Sequence, residues 1–269
     1  MTSKVLEETI TVINKTYPEW GEKNGWLVCV GGINQGGKWR RLYPVSLSLW
    51  TQQKYRKLAF KKWDTVSVKI MKRPLNKDPR KESSEPVDIE ELKIIGHYGT
   101  TKKEWEKRRS IVENHLSPDL ETLKEQRYDN KNRGFWTSMG VIKPNIIDFV
   151  ETERHRIAED ERHVLDVQMK DTPRSDNLEH SHGLDTLIKK IGFKFKCTGN
   201  SDCSGHYIMC TDWEMVELYR RFGFEKTREK AMWMAKQRDL YLMMGTVAHY
   251  NTFINVGVFY PPLLEVIAK

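Results

Sequence analysis

Trp26-Leu-Val-Cys-Val-Gly-Gly-Ile33, Asn34-Gln-Gly-Gly37 and Trp39-Arg-Arg-Leu-Tyr-Pro-Val45 follow one another without a break. Two apolar runs flanking a glycine-rich turn pair as a hairpin, because glycine supplies the positive φ that a tight reversal needs. Thr9 to Asn14, Trp63 to Met71 and Ile89 to Tyr98 add three more strand-like segments. Lys54 to Lys62 is a short basic helix or loop. Lys72 to Pro86 is rich in proline, serine and charge, and reads as a surface loop. Thr101 to His115 carries Trp105, Arg108, Ile111 and Val112 on one helical stripe. About five strands and one helix within roughly 110 residues match the size of a small barrel.

The second half repeats the mixture with more helix. Gly134 to Ile142 and Ile146 to Glu151 read as strands, split by Lys143-Pro144-Asn145. Leu184 to Ile191 reads as a short helix and Phe193 to Cys197 as a strand. Helices follow at Thr211 to Phe222 and Glu225 to Arg238, then strands at Leu240 to Gly245 and Phe253 to Tyr260. The expected fold is therefore mostly β with helices (α+β): a basic N-terminal domain over residues 1–116, a linker or helix over 117–135, and a C-terminal domain over 136–269. No P-loop, GxGxxG or GxSxG motif occurs.

Composition narrows the function classes. With 269 residues, 38% hydrophobic and nine tryptophans, the chain can bury a core. No apolar run is long enough to span a membrane, and no signal-peptide core is present, so a cytoplasmic setting is expected. Four cysteines then read as free thiols or metal ligands rather than disulfides. Net charge is +8. Residues 38–109 hold 20 Lys+Arg against 9 Asp+Glu, or +11, so the rest carries 25 against 28, or −3. That asymmetry suggests a polyanion partner, most simply nucleic acid. Lys38, Arg40, Arg41, Tyr43, Lys72, Arg73 and Arg80 are the candidate contacts, since guanidinium groups hold phosphate and aromatic faces stack on bases. The bland alternative puts Trp39 and Tyr43 in a core with the arginines paired to carboxylates, and Arg80 solvated or paired with Glu82. On the strand, Trp39, Arg41 and Tyr43 share one face and Arg40, Leu42 and Pro44 the other, so both faces are mixed.

Phe193 to Arg221 gathers most of the residues able to do chemistry. Cys197, Cys203 and His206 form C-x5-C-x2-H, whose second half lets a tight loop aim two ligands at one ion such as Zn2+. A fourth ligand is needed, with His249 and Cys210 the candidates. The alternative is a metal-free turn of reduced cysteines. Asp212 or Glu214 could act as a base on metal-bound water. Yet Thr211-Asp-Trp-Glu214 also fits a capping box, and Met215, Leu218, Tyr219 and Phe222 make a core stripe. Glu217 and Arg221 form an i,i+4 ion pair on this helix. His180 and His182 lie in a polar run and read as loop residues.

The blocks TYPEW…LVCVGGINQGGKWRRLYPV, FKKWDTVSVKI, KDPRKES and GH-x7-EWEKRR, with CSGHYIMCTDWEMVELYR and INVGVFYPP further on, resemble prokaryotic proteins of a dual OB-containing domain family. The resemblance covers most of residues 10–115 and 190–262. It implies two OB-like β-barrel domains, the second with a helical insertion, and nucleic-acid binding, single-stranded DNA or RNA foremost, within a prokaryotic defence or DNA-processing system. The leading expectation is a non-enzymatic DNA-binding or RNA-binding protein with a structural zinc. The rivals are a metal-dependent nucleic-acid-processing enzyme and an interaction subunit with protein partners in a defence complex.

Overall fold

The structure is a computed structural model describing residues 5–21, 24–131, 134, 136–153, 189–198, 201–246 and 252–264. Seven strands come first: β1 (Val5–Lys15), β2 (Glu19–Gly21), β3 (Gly25–Asn34), β4 (Trp39–Ser46), β5 (Asp64–Lys72), β6 (Ser83–Pro86) and β7 (Lys93–His97). β3 and β4 form the expected hairpin, with Gly37 at φ 67° in its turn. β1 pairs antiparallel with both β3 and β5, β5 with β6, and β6 runs parallel to β4. These pairings close a five-strand barrel in the order β1-β3-β4-β6-β5, the connectivity of an OB-like fold. A short helix α1 (Ser48–Thr51) follows β4. Ile10, Val12, Val28, Val30, Leu42, Val66, Val68 and Ile70 fill the barrel. Each such side chain contributes about 1.5–3 kcal/mol by leaving water. β6 lies inside the segment expected to be a loop: polar Ser83-Ser84-Glu85-Pro86 carries no apolar alternation to betray a strand.

The second half repeats this connectivity. Its elements are α2 (Lys102–Glu113), α3 (Leu120–Lys131), β8 (Met139–Ile142), β9 (Asn145–Glu153), β10 (Lys189–Lys196), β11 (His206–Met209), α4 (Trp213–Gln237), β12 (Tyr241–Thr246) and β13 (Phe253–Phe259). β8 and β9 form one strand broken at Lys143-Pro144: β9 pairs with β10, β8 with β12. β10 pairs with β11 and β12 with β13. The parallel bridge between Cys210 and Asn255 joins the end of β11 to β13 and completes the circuit. With α4 between its third and fourth strands, this is a second OB-like barrel carrying a helix. Residues 189–191, expected to end a helix, are strand here, because Ile191, Phe193 and Phe195 alternate into the core. Leu120 and Leu123 of α3 are buried in that same core, so the expected linker packs as part of the second barrel. Gly223, at φ 78°, bends α4 where two helices were expected.

The barrels share a third apolar cluster. Ile13, Ile33, Trp39 and Trp63 of the first pack against Met139, Val141, Tyr241, Met243, Val256 and Phe259 of the second. The outward side of β3 and β4 is the face with which OB barrels hold oligonucleotides. Here that side is covered from within the chain: Gly31 sits so close to Met139 that a Cβ would lie 2.6 Å from its Cε. Among the described residues, no helix is long and apolar enough to cross a membrane.

Candidate nucleic-acid interface and metal centre

Burial of that face decides the fate of the arginines expected to bind phosphate. Arg40 is held bidentately by Glu8, at 2.6 Å through both Nε and Nη2. Arg41 is buried and donates to the Ser138 carbonyl at 3.2 Å and hydroxyl at 3.0 Å. Glu82 accepts from the backbone N–H and hydroxyl of the same serine. Arg80 is clamped by Asp78, not Glu82, through two bonds of 2.8 Å, and donates to the Thr246 carbonyl. Three of the four expected arginine contacts therefore lie out of a polyanion's reach: Arg40 is held within the first barrel, and Arg41 and Arg80 join the two barrels. Arg73 is half-buried between Asp78, Glu85 and the Tyr43 ring. Lys38 and Lys72 are exposed.

Among the described residues, nothing covers the equivalent face of the second barrel. On β10, Ile191, Phe193 and Phe195 point inward, so Lys190, Lys194 and Lys196 point outward. Lys194 and Lys196 are exposed. Neither makes an ion pair with the described residues. Opposite Lys194 stands Tyr207 of β11, 39% exposed. Its ring crosses Gly192, where a Cβ would fall 2.8 Å from Cε2, and its hydroxyl meets Thr152 Oγ1 of β9 at 3.1 Å. An aromatic plate with lysines on either side thus lies on the outward face of β10 and β11. The signal was present as Lys-Lys-Ile-Gly-Phe-Lys-Phe-Lys, a period-two pattern, but reading Leu184 to Ile191 as helix hid half of it.

The same hairpin carries the cysteines and histidine. Cys197 Sγ lies 3.4 Å and Cys203 Sγ 3.3 Å from His206 Nε2. One ring nitrogen has a single proton or a single lone pair to offer. Two sulfurs equidistant from it suit a shared ion, and a tetrahedral zinc centre puts sulfur and nitrogen ligands about 3.6 Å apart. These three residues could hold a metal ion. The Cys197 N–H donates to Cys203 Sγ at 3.3 Å; that bond, helped by the Gly205 N–H, holds the Cys203 thiol below the usual range. Burial pushes the Cys197 thiol up, opposed by the Leu120 N–H at the start of α3. Burial, aided by Lys124, lowers the His206 pKa and favours the neutral imidazole that binds metals.

The other expected ligands and bases are elsewhere. Cys210 is buried and bonded to Asn255 Oδ1 at 3.1 Å, outside the cluster. His249 lies outside the described residues, as do His180 and His182. Asp212 and Glu214 do not join the cluster. Asp212, not Thr211, caps α4 by accepting from Met215 N at 3.0 Å, while the Thr211 hydroxyl donates to the Asn255 carbonyl. Asp212 is wholly buried and bound to Lys62, which removes it as a base for bound water. Phe222 is 64% exposed rather than core, because the bend at Gly223 turns the end of that stripe outward. The Glu217–Arg221 pair forms at 2.6 Å.

The second barrel, together with α3, corresponds to a recognised sequence family. Residues 117–268, over half of the chain, match the family described as Domain of unknown function (DUF8757). The chain belongs to the DUF8757 family. Residues 6–114, the first barrel and α2, match a second family described as Domain of unknown function (DUF8758). No curated protein matches the chain.

Proposed function

We propose that this protein binds single-stranded nucleic acid on the outward face of β10 and β11 in the second barrel, and that Cys197, Cys203 and His206 hold a structural Zn2+ at the end of that hairpin. The observation that carries this reading is Tyr207 lying across Gly192, flanked by Lys190, Lys194 and Lys196. Single-strand binding calls for a positive track and a ring on which bases stack. The resemblance to dual OB-containing proteins supports the same reading, with the binding face assigned to the second barrel because the first barrel's is covered. The ion's part is to fix the loop between Lys196 and Tyr207, not to do chemistry.

The test is a salt-dependent titration with a fluorescent oligonucleotide, run as DNA and as RNA. Affinity should fall steeply with salt, by a log–log slope of about −0.7 per neutralised phosphate. Replacing Lys194 and Lys196 together by alanine should flatten the slope by about 1.4. Tyr207→Ala should weaken binding by about 1–3 kcal/mol and leave the slope unchanged, since stacking releases no counterions. No binding at low salt, or variants that bind like the wild type, would overturn the proposal.

A further inference from the structure

Three ligands on one hairpin leave a tetrahedral ion open, and an open position is what catalytic zinc sites keep. What fills it separates a structural knot from a reactive centre. Resting on the reading of Cys197, Cys203 and His206 as a metal centre, we propose that Glu121 supplies the fourth ligand. The centre is then a closed two-cysteine, histidine and glutamate site tying α3 to the β10–β11 hairpin.

Glu121 Oε1 lies 3.9 Å from His206 Nε2, and two nitrogen and oxygen ligands on one tetrahedral zinc stand about 3.4 Å apart. Toward the sulfurs it has further to go: Glu121 stands outside the three-residue cluster, whose ligand atoms all lie within 4.8 Å of one another, so the side chain must swing by more than about an ångström to complete the tetrahedron. The approach is set by the helix: Glu121 is in the first turn of α3, and the preceding Leu120 directs its N–H at Cys197. The carboxylate is free to turn. Its other partner is Lys124 at 2.8 Å, three residues along the same helix, and both side chains are half-exposed. Such pairs contribute little, so exchanging that contact for a cation costs little. The neighbouring carboxylate of Asp119 is otherwise engaged, accepting from Thr122 N at 2.7 Å as the cap of α3. Cys210 is committed to Asn255. With Asp119 and Cys210 committed, Glu121 is the one of these three neighbours able to turn to the cluster, and it brings a negative charge suited to a divalent ion.

Zinc content and affinity by chelator competition, with cobalt substitution as the spectroscopic readout, test this on the full chain. Wild type should hold one zinc per chain. Glu121→Gln should fold, as its half-exposed position allows, yet bind zinc more weakly by at least the roughly 10–100-fold that even outer-shell partners are worth. Its cobalt visible bands should change as the fourth donor is replaced. Lys124→Ala removes the charge beside Glu121 without touching a ligand, and should leave the cobalt bands of wild type. Unaltered zinc affinity and cobalt spectrum in Glu121→Gln would overturn the fourth ligand while leaving the three-residue centre standing. No zinc in wild type, or equal binding by a variant with both Cys197 and Cys203 replaced by serine, would overturn the centre itself.

Discussion

Lys62 Nζ lies 2.6 Å from Asp212 Oδ2, and the two residues belong to different barrels. Both side chains are buried, and Asp212 also accepts from Met215 N and Val258 N. Lys62 reaches Glu214 at 3.0 Å as well. Burial works against the Lys62 ammonium, but Asp212 and Glu214 outweigh it and lift its pKa above the ordinary lysine value. Removing one partner leaves a buried charge without compensation, which typically costs about 3–5 kcal/mol. Lys62→Ala should therefore lower the urea midpoint strongly. Lys62→Met combined with Asp212→Asn should cost less than Lys62→Ala alone. A Lys62→Ala variant as stable as wild type would show that the pair does not hold the barrels together.

Arg80 and Lys38 should respond in opposite ways to truncation. Arg80 is 6% exposed and neutralises Asp78, which is itself buried. Arg80→Ala should cost about 3–5 kcal/mol by stranding that carboxylate. Lys38, exposed in the hairpin turn, should change stability by less than about 0.5 kcal/mol on replacement by alanine. Chemical denaturation of the two variants separates them, and equal midpoints would contradict the network joining Arg80 to Thr246.

Local pattern carried most of the strands, since Trp26 to Ile33 and Trp39 to Val45 pair as two apolar runs about a glycine turn, and Trp63 to Met71 pairs as its alternation implies. Cys197, Cys203 and His206 were legible because they lie close in sequence and a tight loop must bring them near each other. What escaped was set by contacts distant in the chain. Arg41 looks like a phosphate clamp until Ser138, 97 residues away, covers it. Asp212 looks like a base until Lys62, 150 residues earlier, meets it. Glu121 sits 85 residues before His206, in a segment whose polar sequence suggested a linker. The docking of the barrels sets the first two pairs and the packing of α3 on the second barrel sets the third, and no periodicity within either half encodes them.

Lys15 predicts a pH dependence. Its ammonium lies 5.0 Å from the Trp50 ring centre and 4.8 Å from that of Trp213, beside an open cleft of about 430 Å³. Burial, with Lys62 adding to it, lowers its pKa to about 8 from 10.5. Between those two values the unfolded chain binds more protons than the folded one, so stability contributed at this site rises with pH from about 8 to 10.5. Below pH 8 the folded state carries the full cost of the buried charge. Lys15→Met should therefore stabilise the protein at pH 7, by about 1–2 kcal/mol, and the gain should shrink toward pH 10. Denaturant midpoints for both proteins at pH 7 and 10 check this; a gain that grows with pH would contradict it.

Zinc and nucleic acid should be coupled through the β10–β11 hairpin. Lys196 directly precedes Cys197, and Tyr207 directly follows His206, so the proposed ligands are one bond away in sequence from the proposed contacts. Inside, the His206 ring lies 5.2 Å from that of Phe195, which fixes the strand from which Lys194 and Lys196 project. Loss of the ion frees the loop to move, and ordering it again on binding costs free energy. Chelation should then weaken oligonucleotide binding by about 5–150-fold, the range of ordinary coupling between two sites. Linkage makes the effect reciprocal: saturating oligonucleotide should tighten zinc by the same factor. Measuring both, oligonucleotide affinity with and without chelator and zinc affinity with and without oligonucleotide, gives two estimates of one coupling. Chelated protein that binds as tightly as the zinc form would separate the metal from the binding face.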